Sequence, residues 1–122
     1  MQQVPPSRPS INLEKPQQQQ PNFHEYQDVF VVGAINHDVY LHCRVNNLGD
    51  RSVTWMRKKD THILTVSLFT YTTDQRFTAL HSESSDQWSL RIASAQKSDS
   101  GIYECQVSTE PKISAAFTLQ VV

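Results

Sequence analysis

Two cysteines with one tryptophan between them constrain this chain more than any other feature. Cys43 is followed twelve positions later by Trp55, and the run Asp99-Ser100-Gly101-Ile102-Tyr103-Glu104-Cys105 closes the frame. With Cys43 and Cys105 the only cysteines in 122 residues, a single bridge is available, and a bridge implies an oxidising compartment. Closing so long a loop is worth about 4 kcal/mol in the chain-entropy model, a large share of a small domain's net stability. Two free thiols are the alternative, but they leave the spacing of Trp55 and Tyr103 unexplained.

Between and around these markers the chain breaks into short β-branched and aromatic runs separated by turn residues. Val29-Phe30-Val31-Val32 before Gly33 reads as an opening edge strand with a bend after it. Val39, Leu41 and Cys43 alternate with Tyr40 and His42, as in a strand with one buried face. Asn46 to Asp50 is a turn cluster. Val53 and Trp55 point inward on the next strand, with Thr54 and Met56 on the opposite side. His62 to Val66 and Phe69 to Thr72 supply two further strands before Arg76-Phe77. Residues 88, 90 and 92 face the core, Ala95 to Gly101 forms a polar turn with a helical twist, and Tyr103, Cys105 and Val107 alternate inward. Thr109 to Lys112 makes the last hairpin, and Phe117, Leu119 and Val121 complete the core. No segment sustains a 3.6-residue period, so helix content is minimal. The chain therefore reads as all-β: an immunoglobulin-like sandwich of the variable (V) type with nine strands, a single domain with one inter-sheet disulfide.

Residues 1–25 read as a disordered tail rich in Gln and Pro. Five of the chain's six prolines and the run Gln17 to Gln20 lie by residue 21, with too few apolar residues there to offset the entropy of ordering. A Pro-rich ligand for an SH3-type domain is the sharper reading, but that motif is weakly specific and would face the wrong side of a membrane. The domain spans 26–122. Hydrophobic residues are 38% of the chain, enough for one two-layer core. Eleven Lys+Arg against twelve Asp+Glu exclude electrostatic attraction to nucleic acid or anionic lipid. No apolar run spans a bilayer or follows Met1 as a signal peptide does. Against the oxidising compartment, that absence implies a fragment or incomplete gene model lacking its leader and C-terminal anchor, and no direct membrane contact from this segment.

Trp55 covers the Cys43–Cys105 bridge, and Tyr103 keeps its ring in the core while its hydroxyl reaches backbone near Asp99, a tyrosine corner. Asp99 is placed to meet Arg76 in a bidentate pair across the bottom of the sandwich. These residues identify a fold and not a ligand. Chemistry is poorly served. His24, His37, His42, His62 and His81 are scattered without metal-ligand spacing, Ser100 has no histidine base placed by sequence, and three glycines do not make a phosphate loop. No catalysis, cofactor, metal site or N-glycosylation sequon is expected. The anomaly is on the surface: Met56, Leu64, Phe69 and Tyr71 should line one sheet face together with Gln106 and Ser108, an apolar patch with a polar rim that points to a partner. The competing register turns Leu64 and Phe69 inward.

The stretch from Val53 to Lys112 closely resembles the first immunoglobulin domain of the Dpr (defective proboscis extension response) family of insect neuronal surface proteins. The segments that carry this are Trp55-Met56-Arg57-Lys58-Lys59-Asp60, His62-Ile63-Leu64-Thr65, Thr70 to Phe77, Trp88 to Ile92, Asp99-Ser100-Gly101 and Tyr103 to Lys112. The His-Ile-Leu-Thr and Ser-Thr-Glu-Pro-Lys runs are not shared by immunoglobulin domains at large. The resemblance implies an extracellular recognition domain on the neuronal plasma membrane. It would bind the first domain of Dpr-interacting proteins, or a second copy of itself, through the sheet face of its C, C′, C″, F and G strands, and contribute to synaptic partner choice and chemosensory behaviour. It places Tyr71 and Gln106 in the interface, Leu64 at its apolar centre, and Ser67, Glu110 and Lys112 at positions that tune pairing. Ser67 stands where relatives often have glycine. Two rival readings remain: a structural immunoglobulin domain that only spaces other modules, which would lack a contiguous apolar face, and a secreted binder of a small ligand, which would need a concave pocket.

Overall fold

The alternation in the strand around Cys43 is realised residue by residue. Strand β3 (Val39–Asn46) buries Val39, Leu41, Cys43 and Val45 and exposes Tyr40, His42 and Arg44, because successive side chains leave a pleated strand on opposite sides. A computed structural model describes residues 19–122. The remaining strands are β1 (Asn22–Phe23), β2 (Phe30–Gly33), β4 (Val53–Arg57), β5 (His62–Val66), β6 (Phe69–Thr70), β7 (Phe77–Leu80), β8 (Gln87–Ile92), β9 (Gly101–Val107) and β10 (Ile113–Val121). One sheet has the order β1-β3-β8-β7 and the other β2-β10-β9-β4-β5-β6. Neighbours are antiparallel except β2 and β10, which run parallel. Two short 3₁₀ turns, Lys58–Asp60 and Lys97–Asp99, are the only helical pieces among the described residues, and no helix there is long and apolar enough to cross a membrane.

This is the two-sheet V-type sandwich expected from the sequence, with ten strands among the described residues in place of nine. The difference lies at the start. The opening strand is split: β1 pairs with β3, and β2 crosses to the other sheet beside β10. Residues 1–18 of the expected tail lie outside the described residues. Its last residues are built into the sandwich: Asn22 and Phe23 pair with Asn46 and Val45, Pro21 is buried, and Phe23 packs on the core. A single aromatic near the end of a polar stretch was enough to anchor a strand that composition alone did not suggest. Gly33 ends β2 against Val39 of β3, and a Cβ there would run into the Val39 side chain.

Cys43 and Cys105 form the bridge between the sheets, with Cα atoms 6.4 Å apart. Trp55 lies opposite Cys105 in register, is fully buried, and tilts against Phe117 at 5.3 Å between ring centroids. The Tyr103 hydroxyl donates to the Asp99 carbonyl at 2.6 Å, the expected corner, and burial raises its pKa. Asp99 receives both terminal nitrogens of Arg76, at 2.8 and 2.9 Å, and the Gln96 N–H at 2.8 Å. Burial pushes that carboxyl upward, but the Arg76 and Gln96 hydrogen bonds outweigh it and hold it below its ordinary range. Of the three inward positions expected on β8, Leu90 and Ile92 are fully buried. Trp88 is only partly covered, stacked 3.7 Å from the His81 ring.

Candidate partner-binding face

Five adjacent strands of the larger sheet set the geometry of its outer face. One rung of cross-strand neighbours runs Ser114, Gln106, Thr54, Val66, Phe69 across β10, β9, β4, β5 and β6. The next runs Ala116, Glu104, Met56, Ile63. Side chains on one rung stand about 4.5–5.5 Å apart at Cβ, so each rung is a continuous strip. Glu104 is the only ionisable side chain in either. At the β6 end the strip rises into a ridge: Phe69 is 68% exposed, Leu68 56% and Tyr71 63%. Toward β2 a second apolar strip follows, with Phe30 and Ile102 flanking Thr118.

The ridge is held by backbone hydrogen bonds. Val66 pairs with Phe69, so Ser67 and Leu68 form a two-residue hairpin, and Ser67 takes a positive φ of 53°. Such hairpins favour glycine where φ is positive, which gives a physical reading of the position where Dpr-like sequences often carry glycine. The N–H groups of Tyr71 and Thr72 both reach the Leu64 carbonyl, at 2.9 and 3.2 Å, fixing Tyr71 beside the strip.

Leu64 requires a correction. It was expected at the apolar centre of the docking face, yet it is fully buried in the sandwich core. The cause is a bulge: Trp55 pairs with Thr65 and Met56 with Ile63, leaving Leu64 as the extra residue on β5. An extra residue breaks strict alternation. It puts Ile63 and Val66 outward while Leu64 and Thr65 are buried. Ile63, Val66 and, on the hairpin, Leu68 are face residues that sequence reasoning missed. The run His-Ile-Leu-Thr-Val carries apolar residues in both phases, so alternation gave no signal to choose between them. Phe69, whose register was also ambiguous, points outward.

Met56 is half-buried at the centre of the second rung. Gln106 is only 9% exposed. Its side-chain amide donates to Glu104 Oε1 at 3.0 Å and lies 3.7 Å from the Met56 sulfur. Glu104 Oε2 accepts from Lys58 Nζ at 3.1 Å. The Gln106 hydrogen bond, joined by Lys58, outweighs burial and lowers the Glu104 pKa. Ser108 continues the outward series of β9 and closes the ladder, its hydroxyl accepting the Ser52 N–H at 2.9 Å. Glu110 and Lys112 are exposed on the β9–β10 hairpin at the rim. The face thus brings together Met56, Ser67, Phe69, Tyr71, Gln106, Ser108, Glu110 and Lys112, without Leu64. Among the described residues no group of three or more His, Cys, Asp or Glu comes together as a metal site.

Comparison with known proteins agrees with this architecture. The immunoglobulin V-set domain family matches residues 26–122. A chain in the crystal structure of Dpr1 IG1 bound to DIP-eta IG1 superposes with a TM-score of 0.81 at 46% identity, covering 84% of this chain and 96% of that one. The crystal structure of Dpr2 Ig1-Ig2 in complex with DIP-Theta Ig1-Ig3 gives 0.82 at 49% identity, covering 84% of this chain and 47% of that one. Zwei Ig domain protein zig-8 of Caenorhabditis elegans is 32% identical over 82 residues, 67% of this chain and 30% of that protein. This chain therefore spans under a third of that relative's length. The chain belongs to the immunoglobulin V-set family and, within it, to the Dpr type of first immunoglobulin domain.

Proposed function

We propose that this domain is an extracellular recognition module on neurons that docks onto the first immunoglobulin domain of another surface protein through the outer face of β10, β9, β4, β5 and β6. The observation that carries the reading is the pair of rungs with a single ionisable side chain, ending in the exposed Leu68, Phe69 and Tyr71 ridge. Apolar residues at the centre supply affinity, while the polar rim of Ser108, Glu110 and Lys112 rejects mismatched partners. The related structures support a partner of the same superfamily, since they hold Dpr1 IG1 bound to DIP-eta IG1 and a ZIG-8–RIG-5 IG1–IG1 heterodimer. A second copy of this chain is the other occupant with support, because RIG-5 and ZIG-8 IG1 also form homodimers. The apolar face argues against a pure spacer. The depression of about 410 Å³ between Glu25–Asp28 and His42, Arg44 and Gln87 lies on the other sheet and is lined mainly by polar groups, which does not favour a small-ligand site.

Tyr71→Asp tests this reading. Surface plasmon resonance against DIP-eta IG1, DIP-Theta Ig1-Ig3 and the domain itself should show binding lost, with the thermal midpoint nearly unchanged. Binding that survives the substitution for every partner would remove this face from consideration.

A further inference from the structure

The charged groups at the Lys58 end of the face are arranged by height. Glu104 is sunk, its side chain 16% exposed, whereas Lys58 stands 53% exposed above it. Both carboxylate oxygens of Glu104 are engaged from the side, one by Gln106 and one by Lys58. An ammonium has three donors, and Lys58 spends one on Glu104. The neighbouring charges are otherwise occupied: Arg57 closes on Asp60 at 3.1 and 2.9 Å, and Lys59 donates to the Ser98 carbonyl at 2.7 Å. Lys112 adds to the positive field at Glu104 and, among the described residues, joins no ion pair. A covering surface therefore meets cations raised and the anion hidden.

We propose that Lys58, held in place by Glu104 and Gln106, is a selectivity element of the docking face, read by a carboxylate on a different immunoglobulin-type chain. The inference rests on the docking function proposed above. Covering the face takes Glu104 fully out of water, which is tolerable because its partners are already in place. The same step strips the exposed side of the Lys58 ammonium. An apolar group there leaves its remaining donors unmet, a cation repels it, and a carboxylate restores charge-assisted hydrogen bonds. A second copy of this chain is a poor match: among the described residues, its rim offers the Glu110 carboxylate, which joins no ion pair, against the raised Lys58 and Lys112 of both copies. Lys58 is thus a recognition residue, and Glu104 a positioning residue that acts through it.

The test measures binding kinetics of Lys58→Met, Lys58→Arg, Lys58→Glu, Glu104→Gln and the Lys58→Met/Glu104→Gln pair against DIP-eta IG1 and DIP-Theta Ig1-Ig3, beside Tyr71→Asp. Each variant is measured at about 50 and about 300 mM salt, where screening differs most. Lys58→Met should weaken binding about fivefold and flatten the salt dependence, Lys58→Glu about fiftyfold, mostly through the association rate, and Lys58→Arg should retain it. The double variant should bind no worse than Lys58→Met alone, since Glu104 works through Lys58. If Lys58→Glu binds as wild type does while Tyr71→Asp does not, the face stands and its charge selectivity falls. If neither substitution matters, or the wild type neither binds a probe nor self-associates, the docking reading falls and takes this one with it. Self-association of the wild type, by sedimentation, tighter than binding to either probe would overturn the choice of a different chain as occupant.

Discussion

The two outer faces of this sandwich are built from strands with the same alternation and end in opposite surfaces. On the smaller sheet, outward positions hold Tyr40, His42 and Arg44 on β3 and Gln87, Ser89 and Arg91 on β8. Charges there are tied laterally: Arg91 to Asp38 at 2.8 Å and Arg44 to Asp86 at 3.3 Å, with the His24 ring 2.8 Å from the same carboxylate. On the larger sheet, the central outward positions hold Thr54, Met56, Ile63, Val66 and Gln106, and the Lys58–Glu104 ion pair lies at one end. Covering the first face would desolvate several exposed ion pairs for little apolar gain. Covering the second removes mostly carbon from water, at roughly 25 cal/mol per Å². What separates the faces is the residue type placed at outward positions, since core and pleat are shared.

The largest effect tests how far the faces are coupled through the interior. Cys43→Ala with Cys105→Ala should lower unfolding free energy by about 4 kcal/mol, read as a shift of the urea midpoint. Both sheets should still unfold in one transition, because Trp55, Tyr103 and Phe117 pack between them. Two separate transitions would show that the bridge, and not this packing, couples the sheets, and a loss below about 1 kcal/mol would show that the bridge contributes little to the fold.

Next is the contrast between a sunk ion pair and an exposed one. Arg76→Met strands the nearly buried Asp99 carboxylate and should cost about 3 kcal/mol at neutral pH. The sign follows from the lowered Asp99 pKa. In the wild type its contribution is present above the unfolded value near 4 and is lost as pH falls through the lower folded value. Without Arg76, burial of Asp99 is opposed only by the Gln96 N–H and the Arg57 charge and its pKa rises, so the penalty should shrink as pH falls below about 4. Denaturation of both proteins at pH 7 and pH 3 checks this, and a pH-independent difference would exclude the ion pair as its source. Arg91→Ala, which opens the exposed pair with Asp38, should change neither stability nor partner binding measurably.

The sequence made the core legible because its residues are fixed by shape and contact: Cys43, Trp55, Tyr103, Cys105, Arg76 and Asp99 each have one place to go. The face was legible only in part. Met56 and Tyr71 were readable from alternation and turn position, and Phe69 only as one of two registers. Leu64, Ile63 and Val66 were not, because the bulge opposite Trp55 and Met56 is a property of the pairing, and a run apolar in both phases is silent about which side it presents. The β1 strand escaped notice for a related reason. Its anchor is Phe23 against the core and an Asn46–Asn22 side-chain hydrogen bond of 2.8 Å, contacts invisible to composition.

The smallest expected effect isolates a feature that only the docking face has, the hairpin presenting Leu68 and Phe69. Ser67 holds a left-handed backbone conformation that costs a residue with a Cβ about 1 kcal/mol or more. Glycine adopts it freely but loses more entropy on folding, by about 0.5–1 kcal/mol. Ser67→Gly should therefore raise stability by only about 0.5 kcal/mol, the difference between those opposing effects. The Ser67 N–H donates to the Val53 carbonyl at 2.7 Å, and glycine keeps that donor, so the ridge should hold its position and partner affinity should change by less than about twofold. A loss of stability in this variant would show that the serine side chain holds the turn. Unchanged stability with a large change in affinity would instead show that the Ser67 side chain itself touches the partner.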